Sequence, residues 1–255
     1  MYIKSKKEDL SMTDFNYTIA SINHASKSFG QKKVLSDITL NIKQGQIIGL
    51  IGPSGSGKTT TIKCLLGMEK LDTGSAAILG EKMPNRQILE KIGYMGQTDA
   101  LYETLTALEN LTFFGNLMGI TGAELTAAIN KNISLVNLTD SLHQIVAAFS
   151  GGMKRRLSLA IALLANPDLI ILDEPTVGID PSLRLDIWTQ LRALATIQKA
   201  IIVTTHVMDE AEKCDLVGLI INGKIFALGT PNELKKKFNA TSIEEVFLKA
   251  EVSSK

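Results

Sequence analysis

Eight consecutive residues, Gly52-Pro53-Ser54-Gly55-Ser56-Gly57-Lys58-Thr59, match the spacing G-x-x-x-x-G-K-[ST], and Thr60 continues the run. They stand directly after the strand-like Ile47 to Ile51 and directly before a helix-forming stretch, Thr59 to Met68. Glycines let such a loop curl until its backbone N–H groups converge on phosphate oxygens, and the positive end of the following helix adds to the attraction. Lys58 suits the charge of β- and γ-phosphates, and the Thr59 hydroxyl suits Mg²⁺. An ordinary glycine-rich turn would need neither the strand before it nor the helix after it.

A second group of residues complements the first. Leu169-Ile170-Ile171-Leu172-Asp173-Glu174 is an apolar strand ending in two carboxylates, which places Asp173 at the carboxyl edge of a parallel sheet, where such sheets bind ligands. Asp173 is expected to hold Mg²⁺ through water, and Glu174 to polarise an attacking water. Phe149-Ser150-Gly151-Gly152-Met153-Lys154-Arg155-Arg156 opens a helical run with a serine cap and two glycines, a second anion-binding helix start in one chain. Read by itself, the same stretch is a capped helix with an exposed basic face at Lys154 to Arg156.

The serine-glycine-glycine block resembles the signature of the ABC ATPases. It differs from their commonest form, leucine-serine-glycine-glycine-glutamine, at Phe149 and Met153, and keeps Ser150, Gly151 and Gly152, with which that family touches the γ-phosphate. The resemblance runs from Tyr17 to about Ala250, with the family's motifs in order. It implies that Phe29 stacks on adenine, a contact worth about 1–3 kcal/mol and largely indifferent to the base. It implies that Gln97 reaches Mg²⁺ and water, that Gly178-Ile179-Asp180 crosses between subunits, and that His206 donates to the γ-phosphate. Within the family, the blocks Ser150 to Arg156, Asp173 to Pro181 and Met208 to Asp215 look most like bacterial exporters of drugs, antibiotics and lipids.

The resemblance also implies partners and place. Mg·ATP would be sandwiched between two ATPase chains, identical rather than different, that meet head to tail. Lys58 and His206 of one chain and Ser150 and Gly152 of the other would hold each γ-phosphate. A separate transmembrane permease subunit would hold the pair at the cytoplasmic face of the membrane. The rival readings are a soluble ABC ATPase acting as an accessory factor and a small-molecule kinase; the kinase leaves Ser150-Gly151-Gly152 and His206 unexplained. Leu101 and Tyr102, an apolar and an aromatic residue just after Gln97, form either a docking surface for the membrane subunit or a packing contact with Phe113 or Phe114.

These residues need a scaffold that brings distant segments together. Apolar runs at Ile19 to Ala25, Ile38 to Ile42 and Ile47 to Ile51, separated by Gly30-Gln31 and Gln44-Gly45, predict antiparallel strands. Buried-type strands at Leu169 to Leu172 and Ile201 to Thr204 alternate with helical stretches such as Pro181 to Ala195, which predicts a parallel sheet with helices on both faces. From Gln97 to about Ala165 helical periodicity dominates, and Asn222-Gly223 predicts a hairpin. The fold class expected is α/β: a P-loop NTPase core with a mixed sheet, an antiparallel β subdomain and an inserted helical subdomain. The expected division is a tail at 1–16, the β subdomain and first part of the core at 17–97, the helical part at 98–165 and the rest of the core at 166–255, with one ATPase domain over 17–250.

Composition excludes little but guides the choice of partners. With 27 basic and 26 acidic residues the net charge is +1, so no strong field favours nucleic acid as a partner. Cys64 and Cys214 lack metal or redox spacing and read as buried, reduced thiols. The longest apolar stretch, Leu157 to Ala165, stops at Asn166-Pro167-Asp168, short of the roughly 18 residues of a membrane span. Met1 to Asp14 is polar and mixed in charge, unlike a signal peptide.

Overall fold

Local patterning assigns the strands to two different sheets. The computed structural model describes residues 17–253, so the expected tail at 1–16 lies outside the described residues. In chain order, β1 (Thr18–Phe29), β2 (Lys32–Lys43) and β3 (Ile47–Ile51) lead through the glycine-rich loop into α1 (Lys58–Leu65). Next come β4 (Thr73–Ile78), β5 (Glu81–Lys82) and β6 (Ile92–Met95), then α2 (Ala107–Leu117), α3 (Gly122–Leu135) and α4 (Gly151–Ala162). The remainder alternates β7 (Leu169–Asp173), α5 (Pro181–Thr196), β8 (Ala200–Thr205), α6 (Met208–Ala211), β9 (Leu216–Ile221) and β10 (Lys224–Gly229), and closes with α7 (Pro231–Lys237) and α8 (Ile243–Ser253).

One sheet is antiparallel, in the order β2-β1-β4-β5, and the other has the order β10-β9-β3-β8-β7-β6. In the second sheet β9, β3, β8, β7 and β6 run parallel, and β10 returns antiparallel to β9 around Asn222-Gly223. The assignment of β3 corrects the sequence expectation. It was expected among the antiparallel strands, yet it pairs in parallel with β8 and β9 at the centre of the core sheet. All five of its residues are buried, as fits a strand covered on both faces, whereas β2 alternates buried and exposed positions. β4 and β6 carried no sequence signal strong enough to mark them, being short and interrupted by Gly74 and Gly93.

Period-two alternation then sorts the side chains of the core sheet into two apolar clusters. Ile48 and Leu50 face the antiparallel sheet and α1, where Ile22, Ile38, Ile62 and Leu65 complete one cluster. Ile47 and Ile51 face the other way, with Ile170, Leu172 and Ile201, against Leu111, Leu157, Ile187 and Leu191 of the helices. The phosphate loop therefore sits on a strand clamped from both sides. Elsewhere helix starts carry side-chain caps: Thr106 and Glu109 form a reciprocal box at α2, and Asp180 with Pro181 opens α5. Caps of this kind are worth about 1 kcal/mol each.

Candidate nucleotide-binding site

Parallel pairing of β3 with β8, and of β8 with β7, brings the carboxyl ends of three strands to one edge of the sheet. The loop 52–57, the pair Asp173-Glu174 and the pair Thr205-His206 follow directly from those ends. At two loop positions only glycine fits. A Cβ on Gly57, whose φ is 110°, would lie 2.7 Å from Leu35 Cδ2, and one on Gly52 would run into the carbonyl of Ile220. Lys58 is buried, and its ammonium donates to the carbonyls of Gly52 at 2.8 Å and Pro53 at 3.1 Å. Burial pulls its pKa below the ordinary lysine value, while the charges of Glu174 and Asp173 oppose that shift.

Beside the lysine lies a cleft of about 560 Å³, lined by Phe29, Ser54, Gly55, Gly57, Lys58, Thr59, Thr60, Gln97 and Glu174. Pro53 and Ser56 complete the loop, where the Ser56 amide donates to the Pro53 carbonyl at 3.1 Å. A cleft of similar size, about 590 Å³, flanked by α3 and the end of α4, contains no residue of these motifs. Phe29 is 46% exposed, as a stacking platform requires. Its ring is held by Lys27, whose ammonium sits 4.8 Å from the ring centroid and is itself tied to the Lys70 carbonyl at 2.9 Å and to Glu69 at 3.6 Å. Sequence reasoning missed Lys27, and also Lys32 and Val34, which line the cleft. The i, i+2 spacing of Lys27 and Phe29 on β1 was the available signal for the first.

Asp173 is fully buried at the end of β7. One of its carboxylate oxygens accepts from the Thr204 hydroxyl, and the other, Oδ2, is buried with no partner among the described residues. Glu174 has a φ of 54°, in the left-handed region that a non-glycine residue enters at a cost of about 1–2 kcal/mol. Its N–H is bonded to the Thr204 carbonyl at 3.0 Å and to the Thr204 hydroxyl at 3.1 Å. Its carboxylate lies 3.4 Å from Nδ1 of His206, a half-exposed side chain. Thus Glu174 and His206, distant in sequence, are neighbours at the sheet edge.

The remaining sequence candidates are elsewhere. Ser150 caps α4 by accepting from the Met153 amide at 3.2 Å, and Gly151 follows it on the surface. A Cβ on Gly152 would stand 3.0 Å from the Gly178 carbonyl, so the Ser-Gly-Gly turn and the 178–180 turn lie side by side. Asp180 is exposed, and its carboxylate is held below the usual range by the Ser182 hydroxyl and the Leu183 amide. None of Ser150, Gly151, Gly152 and Asp180 lines the Lys58 cleft. The expected basic face of α4 also needs correction. Arg155 is buried, with its guanidinium turned inward onto backbone carbonyls, because the helix packs its inner face against the ends of β6 and β7.

Comparison with known proteins follows the same lines. The sequence profile of the ABC transporter family matches residues 35–177. The chain is 39% identical over 229 residues to the Nod factor export ATP-binding protein I of Sinorhizobium fredii, covering 89% of this chain and 67% of that protein. It is 38% identical over 220 residues to the linearmycin resistance ATP-binding protein LnrL of Bacillus subtilis, covering 85% of this chain and 71% of that protein. Its fold superposes on a solved ATP-binding subunit of an ABC transporter with a TM-score of 0.85 at 28% identity, over 91% of this chain and 99% of that one. A bacterial ABC transporter cassette solved as a dimer gives 0.77 at 25% identity, over 83% and 98%. This chain belongs to the ABC transporter family, as an ATP-binding subunit. It is an ATPase of the class whose hydrolysis of ATP drives transport.

Proposed function

We propose that this chain is the motor of an exporter and works as a head-to-tail pair of identical chains with two ATP molecules between them. The division of the motif residues carries this reading. Lys58, Thr59, Gln97 and Glu174 share one cleft; Asp173 and His206 do not line it but adjoin Glu174, in sequence and at 3.4 Å respectively, whereas Ser150, Gly151, Gly152 and Asp180 lie outside it. One phosphate loop and one Ser-Gly-Gly helix start per chain complete each other across two chains. Relatives named for Nod factor export and linearmycin resistance, and a structural neighbour solved as a dimer, support it. Those names lend nothing to the accessory-factor reading.

In each composite site, Phe29 stacks on adenine and the backbone N–H groups of residues 52–57, with Thr60, surround the phosphates. Lys58 and His206 of one chain and Ser150 and Gly152 of the other grip the γ-phosphate. Glu174 orients a water in line with the bond to be broken and accepts its hydrogen bond as charge shifts towards ADP. Thr59, Gln97 and Asp173 are the residues that would hold Mg²⁺, and the buried, unpaired Oδ2 of Asp173 fits a cation. Bound there, the ion would supply neutralisation of the β- and γ-oxygens. Asp180 sits on the turn beside Gly152, so it follows the Ser-Gly-Gly surface to the opposite nucleotide. Hydrolysis adds negative charge to the sandwich and reopens it.

In this reading the chain sits at the cytoplasmic face of the membrane, held by a separate permease subunit. Among the described residues no helix is long and apolar enough to cross a membrane. Tyr102 is the candidate contact. It packs edge-on to Phe113 at 4.9 Å and against Phe114 at 6.0 Å, yet 47% of it stays exposed beside the segment that carries Gln97. Tyr102→Ala is expected to keep basal ATP hydrolysis and lose binding to membranes that contain the permease. A parallel fall in melting temperature and hydrolysis would instead assign Tyr102 to packing alone.

The pairing itself is tested by complementation. Ser150→Arg and Lys58→Ala, each inactive alone, form mixed pairs in which one composite site has lost both residues and the other keeps both. Phosphate release is expected to peak near equal mixing, with cross-linking to verify mixed pairs. Wild-type activity of Ser150→Arg alone would remove Ser150 from the site.

A further inference from the structure

Three consecutive basic residues follow the Ser-Gly-Gly turn, and they diverge. Lys154 reaches outward to Glu103 at 2.6 Å, and Arg156 donates to the carbonyls of Val136 at 3.1 Å and Asn137 at 2.8 Å. Arg155 alone turns into the protein, where it is 5% exposed. Its Nη1 donates to the carbonyls of Gly96 at 2.6 Å and Gln97 at 3.2 Å. Its Nη2 donates to the carbonyls of Asp173 and Glu174, and Nε also reaches the Glu174 carbonyl at 3.2 Å. One carboxylate, Asp99, stands 3.3 Å away and is bonded in turn by Ser158, one turn along α4, at 2.8 Å.

A buried guanidinium is satisfied when its planar fork of five N–H groups meets matched acceptors. Here most acceptors are backbone oxygens, drawn from the ends of β6 and β7. Such a fork fixes main-chain positions more than it neutralises charge. Its effect is greatest at Glu174, whose left-handed backbone is held by Thr204 on the N–H side and by Arg155 on the carbonyl side. The aim of the Glu174 carboxylate depends on both.

We propose that Arg155 is a positioning residue for hydrolysis: it ties the helix that starts at Ser150 to the backbone of Gln97 and Glu174, so that groups serving two different nucleotides move together. The proposal rests on the roles assigned above to Glu174 and Ser150. Loosening the fork lets Glu174 and Gln97 wander from the attacking water, and misplacement of that kind lowers turnover more than it lowers ATP binding.

The test compares Arg155→Gln and Arg155→Lys in the purified full chain, the lysine variant keeping the charge and most of the volume. Expected are a fall in kcat of about 30-fold for glutamine and a smaller one for lysine, with the KM for ATP within about twofold of wild type. Amide hydrogens of residues 96–99 and 174–177 are expected to exchange faster in both variants than in the wild type. In a Ser150→Ala background the fall caused by Arg155→Gln should shrink, because the linked unit is already broken. Unchanged kcat with a lowered melting temperature would make Arg155 a brace only and overturn the proposal. So would a fall in kcat with unaltered exchange, or full additivity with Ser150→Ala. A Glu174→Gln chain that hydrolyses at the wild-type rate would sink the site assignment itself, an outcome separate from any result at Arg155.

Discussion

Glu174→Gln is expected to bind ATP about as well as the wild type and to hydrolyse it about 10²–10⁴ times more slowly, the usual effect of losing a general base. The amide keeps the length and shape of the side chain, so packing around residue 174 changes little. It loses the negative charge that stands near Lys58 and the basic oxygen that lies 3.4 Å from His206. Removing a carboxylate from beside bound phosphates does not weaken their binding. With binding intact and hydrolysis stalled, the ATP-bound pair of chains should accumulate. Size-exclusion chromatography with and without ATP, phosphate release and binding of a fluorescent ATP analogue measure the three quantities. Turnover at the wild-type rate would leave Glu174 as a structural acid held by Thr204 and Arg155.

Lys58→Ala tests the other half of the same site. Loss of a preorganised positive group aimed at a transferring phosphoryl is expected to lower kcat/KM by about 10²–10³-fold. Among the described residues the lysine bonds only to the Gly52 and Pro53 carbonyls of its own loop, and its side chain lines an open cleft that water can enter when the ammonium is removed. Burial also costs its charged form something, as its lowered pKa indicates. The melting midpoint and far-ultraviolet circular dichroism should therefore stay close to wild type. Retained hydrolysis would remove the phosphate role of the loop. Loss of hydrolysis together with the fold would show that Lys58 serves the core.

The two variants differ in a way that separates the assigned roles. Lys58→Ala weakens the grip on phosphate in the ground state and more strongly in the transition state, so both binding and turnover suffer. Glu174→Gln affects the step in which water attacks.

The sequence by itself determined the residues of local chemistry. The phosphate loop is contiguous, because a loop that points successive N–H groups at one anion must be made of adjacent residues, with glycine where a Cβ would collide, as at Gly52 and Gly57. The carboxylates at 173 and 174 are likewise marked by the apolar strand before them, and the hairpin by Asn222-Gly223. Tertiary structure decided what depends on strand order and on the inward or outward turn of a side chain. A short apolar run after Gly45 can mark β3 as a strand, but its partners, β8 and β9, come from residues more than 150 positions later. The pairing of β8 with β7 puts His206 beside Glu174, while Ser150 and Asp180 stand outside the cleft. Likewise, three basic residues in a row look alike on a helix, and only packing against the ends of β6 and β7 turned Arg155 inward to the backbone of the site. Spacing along the chain encodes the contacts of neighbouring residues; contacts between distant segments arise when the apolar faces of the sheet and helices are buried together.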